Sequence, residues 1–146
     1  MKKLFLFFVV TSLLCSCSES GPKDFFGLGF TQSQIEEIAE KEKLGPIVLH
    51  EEMGVKTLKI KCMGVNYRGL NVETIIFEFK GDEHMSTLFI GNSKLDINRM
   101  YDIFGHNYKI ESGDVYVWKI PDGEARCAEV SYSGSPIMWM LNITKR

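Results

Sequence analysis

At Gly45-Pro46 the hydrophobic pattern of the chain changes its period, and that change limits the accessible folds more than any other feature. Before it, Ile35, Ile38, Ala39 and Leu44 recur at helical spacing, with Glu36, Glu37, Glu40, Lys41, Glu42 and Lys43 on the opposite side. Thr31 is the expected N-cap, Gln34 completes a capping box, and Phe30 can staple onto Ile35. Gly45 offers a left-handed stop and Pro46 forbids continuation. A helix over 32–44 follows. After Pro46 the pattern is alternation. Residues 47–52 read as a strand. In 57–65, Leu58, Ile60 and Cys62 share one face and Lys59 and Lys61 the other. Residues 66–69 read as a connection. In 72–80, Ile75, Phe77 and Phe79 point inward while Thr74, Glu78 and Lys80 point outward. Gly81, Asp82 and Glu83 are turn chemistry, and 85–90 is the next strand. Such one-sided alternation belongs to an antiparallel meander with one face in water.

The second half repeats the plan. Ser93 is the expected cap of a helix carrying Ile97, Met100, Tyr101 and Phe104 at helical spacing, and Gly105 is its stop. Residues 108–110 are extended. Strands over 114–120, 124–132 and 137–144 are separated by Pro121-Asp122-Gly123 and Ser133-Gly134-Ser135-Pro136. In the last strand Trp139 shares a face with Ile137, Leu141 and Ile143, while Met138 and Met140 make the other face apolar too. Such a strand is either central and covered or part of a contact surface. The expected fold is α+β: an antiparallel meander sheet with two helices packed on one face, an order that also reads as two α-then-β halves. Residues 25–30, apolar and glycine-rich, form a short strand or an extended lead-in that packs its phenylalanines on the core. Gly27 and Gly29 lack the third glycine of a nucleotide fingerprint.

The N-terminus supplies an address. Lys2 and Lys3 precede an apolar run over 4–14 broken only by Thr11 and Ser12. The run has signal-peptide length and falls short of the ~20 residues a membrane-spanning helix needs. It leads into Leu14-Cys15-Ser16-Cys17, which resembles the bacterial lipobox: an aliphatic residue, a permissive one, a small one, then the lipidated cysteine. Cys17 fits. Cys15 fits less well, because Leu14 would take the place of the small residue. The resemblance implies a signal peptide over 1–16, lipid attachment and linker over 17–24, and a single domain over 25–146. It places the protein in the bacterial cell envelope with acyl chains, palmitate among them, on Cys17. At ~0.8 kcal/mol per buried methylene, three chains exceed what stable anchoring needs. The competing reading is an ordinary secretory signal cut at Ser16-Cys17-Ser18. Loss of Lys2 and Lys3 moves the net charge from −2 to −4. A mildly acidic domain has no electrostatic basis for nucleic-acid binding.

The helix boundaries Gly29-Phe30-Thr31 and Leu44-Gly45-Pro46 resemble those of small envelope lipoproteins of the SmpA/OmlA kind and of the β-lactamase-inhibitor-like repeat. That likeness implies an α+β envelope protein, and by fold analogy a binder or inhibitor of another protein. Chemistry is sparse. With Cys17 lipidated, Cys62 and Cys127 are left as a candidate disulfide in an oxidising compartment, the alternative being two buried thiols. No C-x-x-C, H-E-x-x-H or G-x-S-x-G occurs. No catalytic residue, cofactor or metal set is assigned; Asp82, Glu83 and His84 make at most a composite surface site, set against a plain solvated turn. Tyr116, Trp118 and Tyr132 would make a sugar- or peptide-binding platform if Trp118 lay on the uncovered sheet face, and core if it did not. The expected function is a non-enzymatic module, held to the membrane by lipid, that binds another envelope protein; the alternative is a small-ligand or glycan-binding module.

Overall fold

The structure, a computed structural model, describes residues 24–131 and 133–146. The elements follow as α1 (Gln32–Lys41), β1 (Ile47–Glu52), β2 (Val55–Tyr67), β3 (Leu70–Lys80), β4 (Glu83–Gly91), α2 (Ile97–Phe104), β5 (Tyr108–Glu111), β6 (Val115–Ile120), β7 (Gly123–Val130) and β8 (Met138–Lys145). The strands form one eight-stranded antiparallel sheet in the order β1-β2-β3-β4-β8-β7-β6-β5. The protein is therefore mainly β, with two helices. Each run of four strands is a meander, and the last strands of the two runs, β4 and β8, pair at the centre.

Alternation sorts the side chains onto two faces. One ladder shows how. Leu49, Leu58, Phe77, Thr87, Ile143, Ala125, Trp118 and Tyr108 stand opposite one another across all eight strands. Its six inner members are at most 1 % exposed. Each large apolar member stabilises the fold by ~1.5–3 kcal/mol relative to exposure. Ile35 and Ala39 of α1 and Met100 of α2 belong to the same buried cluster.

The lead-in over 24–30 is not a strand. It bends and is held through its own backbone: the Phe25 N–H donates to the Tyr67 hydroxyl (3.0 Å) and the Phe30 N–H to His84 Nδ1 (3.2 Å). Phe25 meets Phe77 edge-on at 4.8 Å, and Phe26 stacks on Phe89 at 5.1 Å. Both are core aromatics of the covered face.

Local chemistry explains the boundaries. The capping box of α1 is formed in both directions, Gln34 N–H to Thr31 Oγ1 (3.3 Å) and Thr31 N–H to Gln34 Oε1 (2.9 Å). The helix ends at Lys41, earlier than the expected 44. Lys43, at φ 53°, takes the left-handed position assigned to Gly45. Leu44 N–H then bonds to Ala39 O (2.9 Å) and Lys43 N–H to Glu40 O (3.1 Å), a Schellman closure with Leu44 buried behind it. Gly45 is needed for another reason: a Cβ there would strike the Lys61 carbonyl. The cap of α2 is Asp96, not Ser93. Asp96 Oδ1 accepts from Arg99 N–H at 3.1 Å, while Ser93 Oγ donates to the neighbouring Lys94 carbonyl.

Phe25→Ala should lower stability by about 3–5 kcal/mol, the usual cost of emptying a buried phenylalanine site. Urea denaturation measures it. An unchanged midpoint would mean that the lead-in is not part of the core.

Candidate functional site

The two cysteines that could bridge do not. Cys62 lies on β2 and Cys127 on β7, four strand spacings apart in the sheet order, or ~19 Å. A disulfide needs Cα atoms within about 7 Å. Both are free buried thiols, and burial pushes Cys62 up to about 11 and Cys127 up to about 12. At neutral pH they are small apolar side chains on the covered face, not nucleophiles.

The aromatic platform is also corrected. Trp118 is 1 % exposed and lies on the covered face, with Phe104 of α2 at 5.4 Å and Tyr116 stacked at 6.1 Å. Its indole N–H donates to Gly105 O at 2.9 Å, closing the C-terminal end of α2 onto the sheet. Tyr116 is half-buried beside it and packs on Tyr108 at 5.5 Å. Trp118 and Tyr116 do come together, but as core rather than as a platform open to a ligand. Tyr132 and Cys17 lie outside the described residues.

A cleft of about 910 Å³ opens at one end of the sheet, where the β3–β4 and β6–β7 turns meet the lead-in and the end of α2. Glu83, Lys119, Asp122 and Lys145 line it. Glu83 and Lys145 are ion-paired across it, and the Lys145 ammonium holds the Glu83 carboxyl below its usual range. His84 lies against the cleft but turns inward and is 3 % exposed. Its Nδ1 accepts from Phe30 N–H, so its proton is on Nε2, which donates to Ser86 O at 3.0 Å with Thr87 Oγ1 at 2.8 Å. Burial lowers its pKa. The ring is neutral, satisfied on both nitrogens and packed on Phe79 at 5.3 Å. Asp82, Glu83 and His84 therefore do not converge on one point. Among the described residues no cluster of three or more His, Cys, Asp or Glu is arranged to hold a metal ion.

The other face of the sheet carries no helix among the described residues. Across its middle, Ile76 faces Leu88, Leu88 faces Asn142, and Asn142 faces Arg126. One ladder on, Ile90 faces Met140 and Met140 faces Ala128; Met138 and Val130 pair beyond them. These apolar side chains are only partly exposed individually but form a continuous stripe over β3, β4, β8 and β7. The rim is charged. On the β5–β7 side Lys109, Glu111, Arg126, Glu124 and Arg146 form one chain of ion pairs. Lys109 and Arg126 hold Glu111 below its usual range, and Arg146 and Arg126 do the same for Glu124. On the β2 side Lys59 and Lys61 have no ion-pair partner among the described residues. Asn142 Oδ1 is buried in the stripe with no hydrogen-bond partner among the described residues, a cost of ~1–3 kcal/mol. Alternation in the last strand marks Met138 and Met140 for this face. Ile76, Leu88 and Ile90 escape a reading that follows only inward residues. Their signal is the unbroken apolar triplets Ile75-Ile76-Phe77 and Leu88-Phe89-Ile90, which put apolar groups on both sides of a central strand.

The buried His84 yields a pH dependence. Its pKa is lower folded than unfolded, where it titrates at about 6.5. Between the two values the unfolded chain binds more protons, so stability rises with pH through that window. Stability should be complete above about pH 6.5 and decline as pH falls below it. His84→Gln should flatten that decline. Denaturation midpoints at pH 7.5 and 5.5 measure the difference, and parallel slopes in the two proteins would assign the decline to other groups.

In comparisons with protein-family models, curated proteins and solved structures, nothing matches this chain.

Proposed function

We propose that the protein is a lipid-anchored component of the bacterial cell envelope, held through Cys17, and that it works as a non-enzymatic interaction module binding another envelope protein. The observation that carries the binding half of this reading is the apolar stripe on the uncovered sheet face, interrupted by the unpaired Asn142 acceptor and bordered by charge. Contiguous apolar surface with a polar rim is the composition of a contact site, and an acceptor within it favours a partner that brings a donor. The groups that could do acid–base chemistry are instead paired or buried, as Glu83 and His84 are. The two α-then-four-strand halves, each ending on a central strand, are in keeping with a duplicated binding scaffold.

The anchoring half rests on the lipobox-like segment ending at Cys17. Asp24 already belongs to the folded unit, accepting from Phe26 N–H at 3.1 Å. Residues 18–23 then span at most ~21 Å. The domain would stand close to the bilayer, and so would its partner.

Two measurements test the halves separately. Cys17→Ala should abolish labelling by a radioactive fatty acid and release the chain from membranes; labelling that persists would move the anchor elsewhere. A photo-crosslinking residue at Leu88 or Met140 should capture one envelope protein in intact cells, and Ile90→Lys should abolish capture without unfolding the domain. Capture that survives Ile90→Lys, or none from either position, would end the sheet-face reading.

A further inference from the structure

The two edges of the sheet are built differently. The β5 edge is short and guarded: Lys109 and Glu111 are ion-paired on it, and Tyr108 is stacked under Tyr101 at 5.1 Å. The β1 edge carries its one ion pair among the described residues, His50 with Glu52 at 3.4 Å, only at its C-terminal end. It pairs with β2 without a bulge over all six of its residues, so it is straight and regular. Val48 on one face is 49 % exposed and Leu49 on the other is 52 % exposed. Edge strands are normally protected by charge, a bulge or a cover; β1 has no lysine and no bulge, and its charges, Glu51 and Glu52, leave the stretch over Val48 and Leu49 apolar.

Its backbone is also free to pair. The Lys61 N–H donates to Pro46 O at 3.3 Å, which makes these two a hydrogen-bonded pair. Alternation then turns the peptide groups of Val48 and His50 toward β2 and those of Ile47, Leu49 and Glu51 outward. Leu49 is moreover the last member of the ladder that includes Leu58 and Phe77, both 0 % exposed. The buried row runs to the edge of the molecule and stops there in the open.

We infer that β1 is a self-association edge, pairing antiparallel with β1 of a second copy about a two-fold axis at Leu49. That register keeps the faces matched and places Leu49 against Leu49 of the second copy, so the buried row continues as Leu58, Leu49, Leu49, Leu58 across the axis. It also opposes Ile47 and Glu51, which completes all three outward-facing residues of each strand. The charges fit the same arrangement. Glu52 of the second copy, whose pair with His50 is exposed on both sides, falls opposite Pro46, in line with Lys61 on the same face, and Lys61 has no ion-pair partner among the described residues. A second copy is thus matched in hydrogen bonding, in apolar side chains and in charge by the six residues of β1 and their neighbours on β2. The pairing would join the two sheets into one, with both apolar stripes on the same side.

Oxidative crosslinking and sedimentation of the full chain test this. Residues opposed in such a pair have Cα atoms about 5.5 Å apart, within disulfide reach. Leu49→Cys should therefore give a covalent dimer, whereas Met53→Cys, 97 % exposed in the adjacent turn, should not. In sedimentation equilibrium the unaltered chain should dimerise. Leu49→Pro removes an outward N–H without touching the β1–β2 bonds, and should weaken self-association about thirtyfold, the worth of two strand-to-strand hydrogen bonds. Leu49→Lys keeps the backbone and puts two like charges on the axis, so it gives the same answer should the proline chain misfold. A monomeric native chain, equal crosslinking from positions 49 and 53, crosslinking from 49 only to a different protein, or a Leu49→Lys chain that still dimerises would each overturn the inference.

Discussion

Phe25 and Phe30 pin the lead-in segment at both ends through their backbone N–H groups, one to the Tyr67 hydroxyl and one to His84 Nδ1. The two acceptors sit on different hairpins, Tyr67 at the β2–β3 turn and His84 at the β3–β4 turn. A segment without regular structure is thereby laid along the sheet, and its rings fill the space that two short helices leave uncovered. The rest of the covered face depends on that seal. Once it is closed, Phe77, Phe89 and Trp139 are buried, and the polar groups beneath it must find partners inside the protein. His84 and Thr87 do so with each other.

Covering one face commits the other. An eight-stranded sheet with both helices feeding one buried cluster leaves its second face to be handled by side chains alone. The two halves of that face differ. Toward β5 it is closed over by a chain of ion pairs, and Val117 beneath them is only 2 % exposed. Over β3, β4 and β8 it stays apolar, with Asn142 the one discordant group in the stripe. The edges differ in the same sense: ion-paired along β5, apolar over Val48 and Leu49 on β1. A sheet protein of this size has the material to protect every exposed element. The apolar edge at β1 and the apolar stripe that begins at β3 are the two surfaces on which the proposed contacts rest.

Residues that look reactive in isolation are absorbed by this construction. Trp118 is a strut between β6 and the end of α2. Cys62 and Cys127 are filler for the covered face at two distant strands. Tyr67, whose hydroxyl accepts from Phe25, is pushed up to about 12 by burial and so keeps its proton. Glu83, Glu111 and Glu124 are each held by a surface cation.

Element type and order were written in the sequence, because alternation and helical spacing act over a few residues and need no partner to be read. The change of period at Gly45-Pro46, the capping box at Thr31 and the glycine after Phe104 placed the helices and strands nearly where they stand. Local competition already blurred the ends: Lys43 took the left-handed turn reserved for Gly45, and Asp96 capped α2 in place of Ser93. What local pattern could not supply was strand order, and strand order decided the site. Whether Cys62 meets Cys127, whether Trp118 lies under a helix and whether Leu49 borders a neighbour or an edge all follow from β4 pairing with β8. That pairing joins strands far apart along the chain, and its energy resides in contacts between surfaces that exist only after each half has folded.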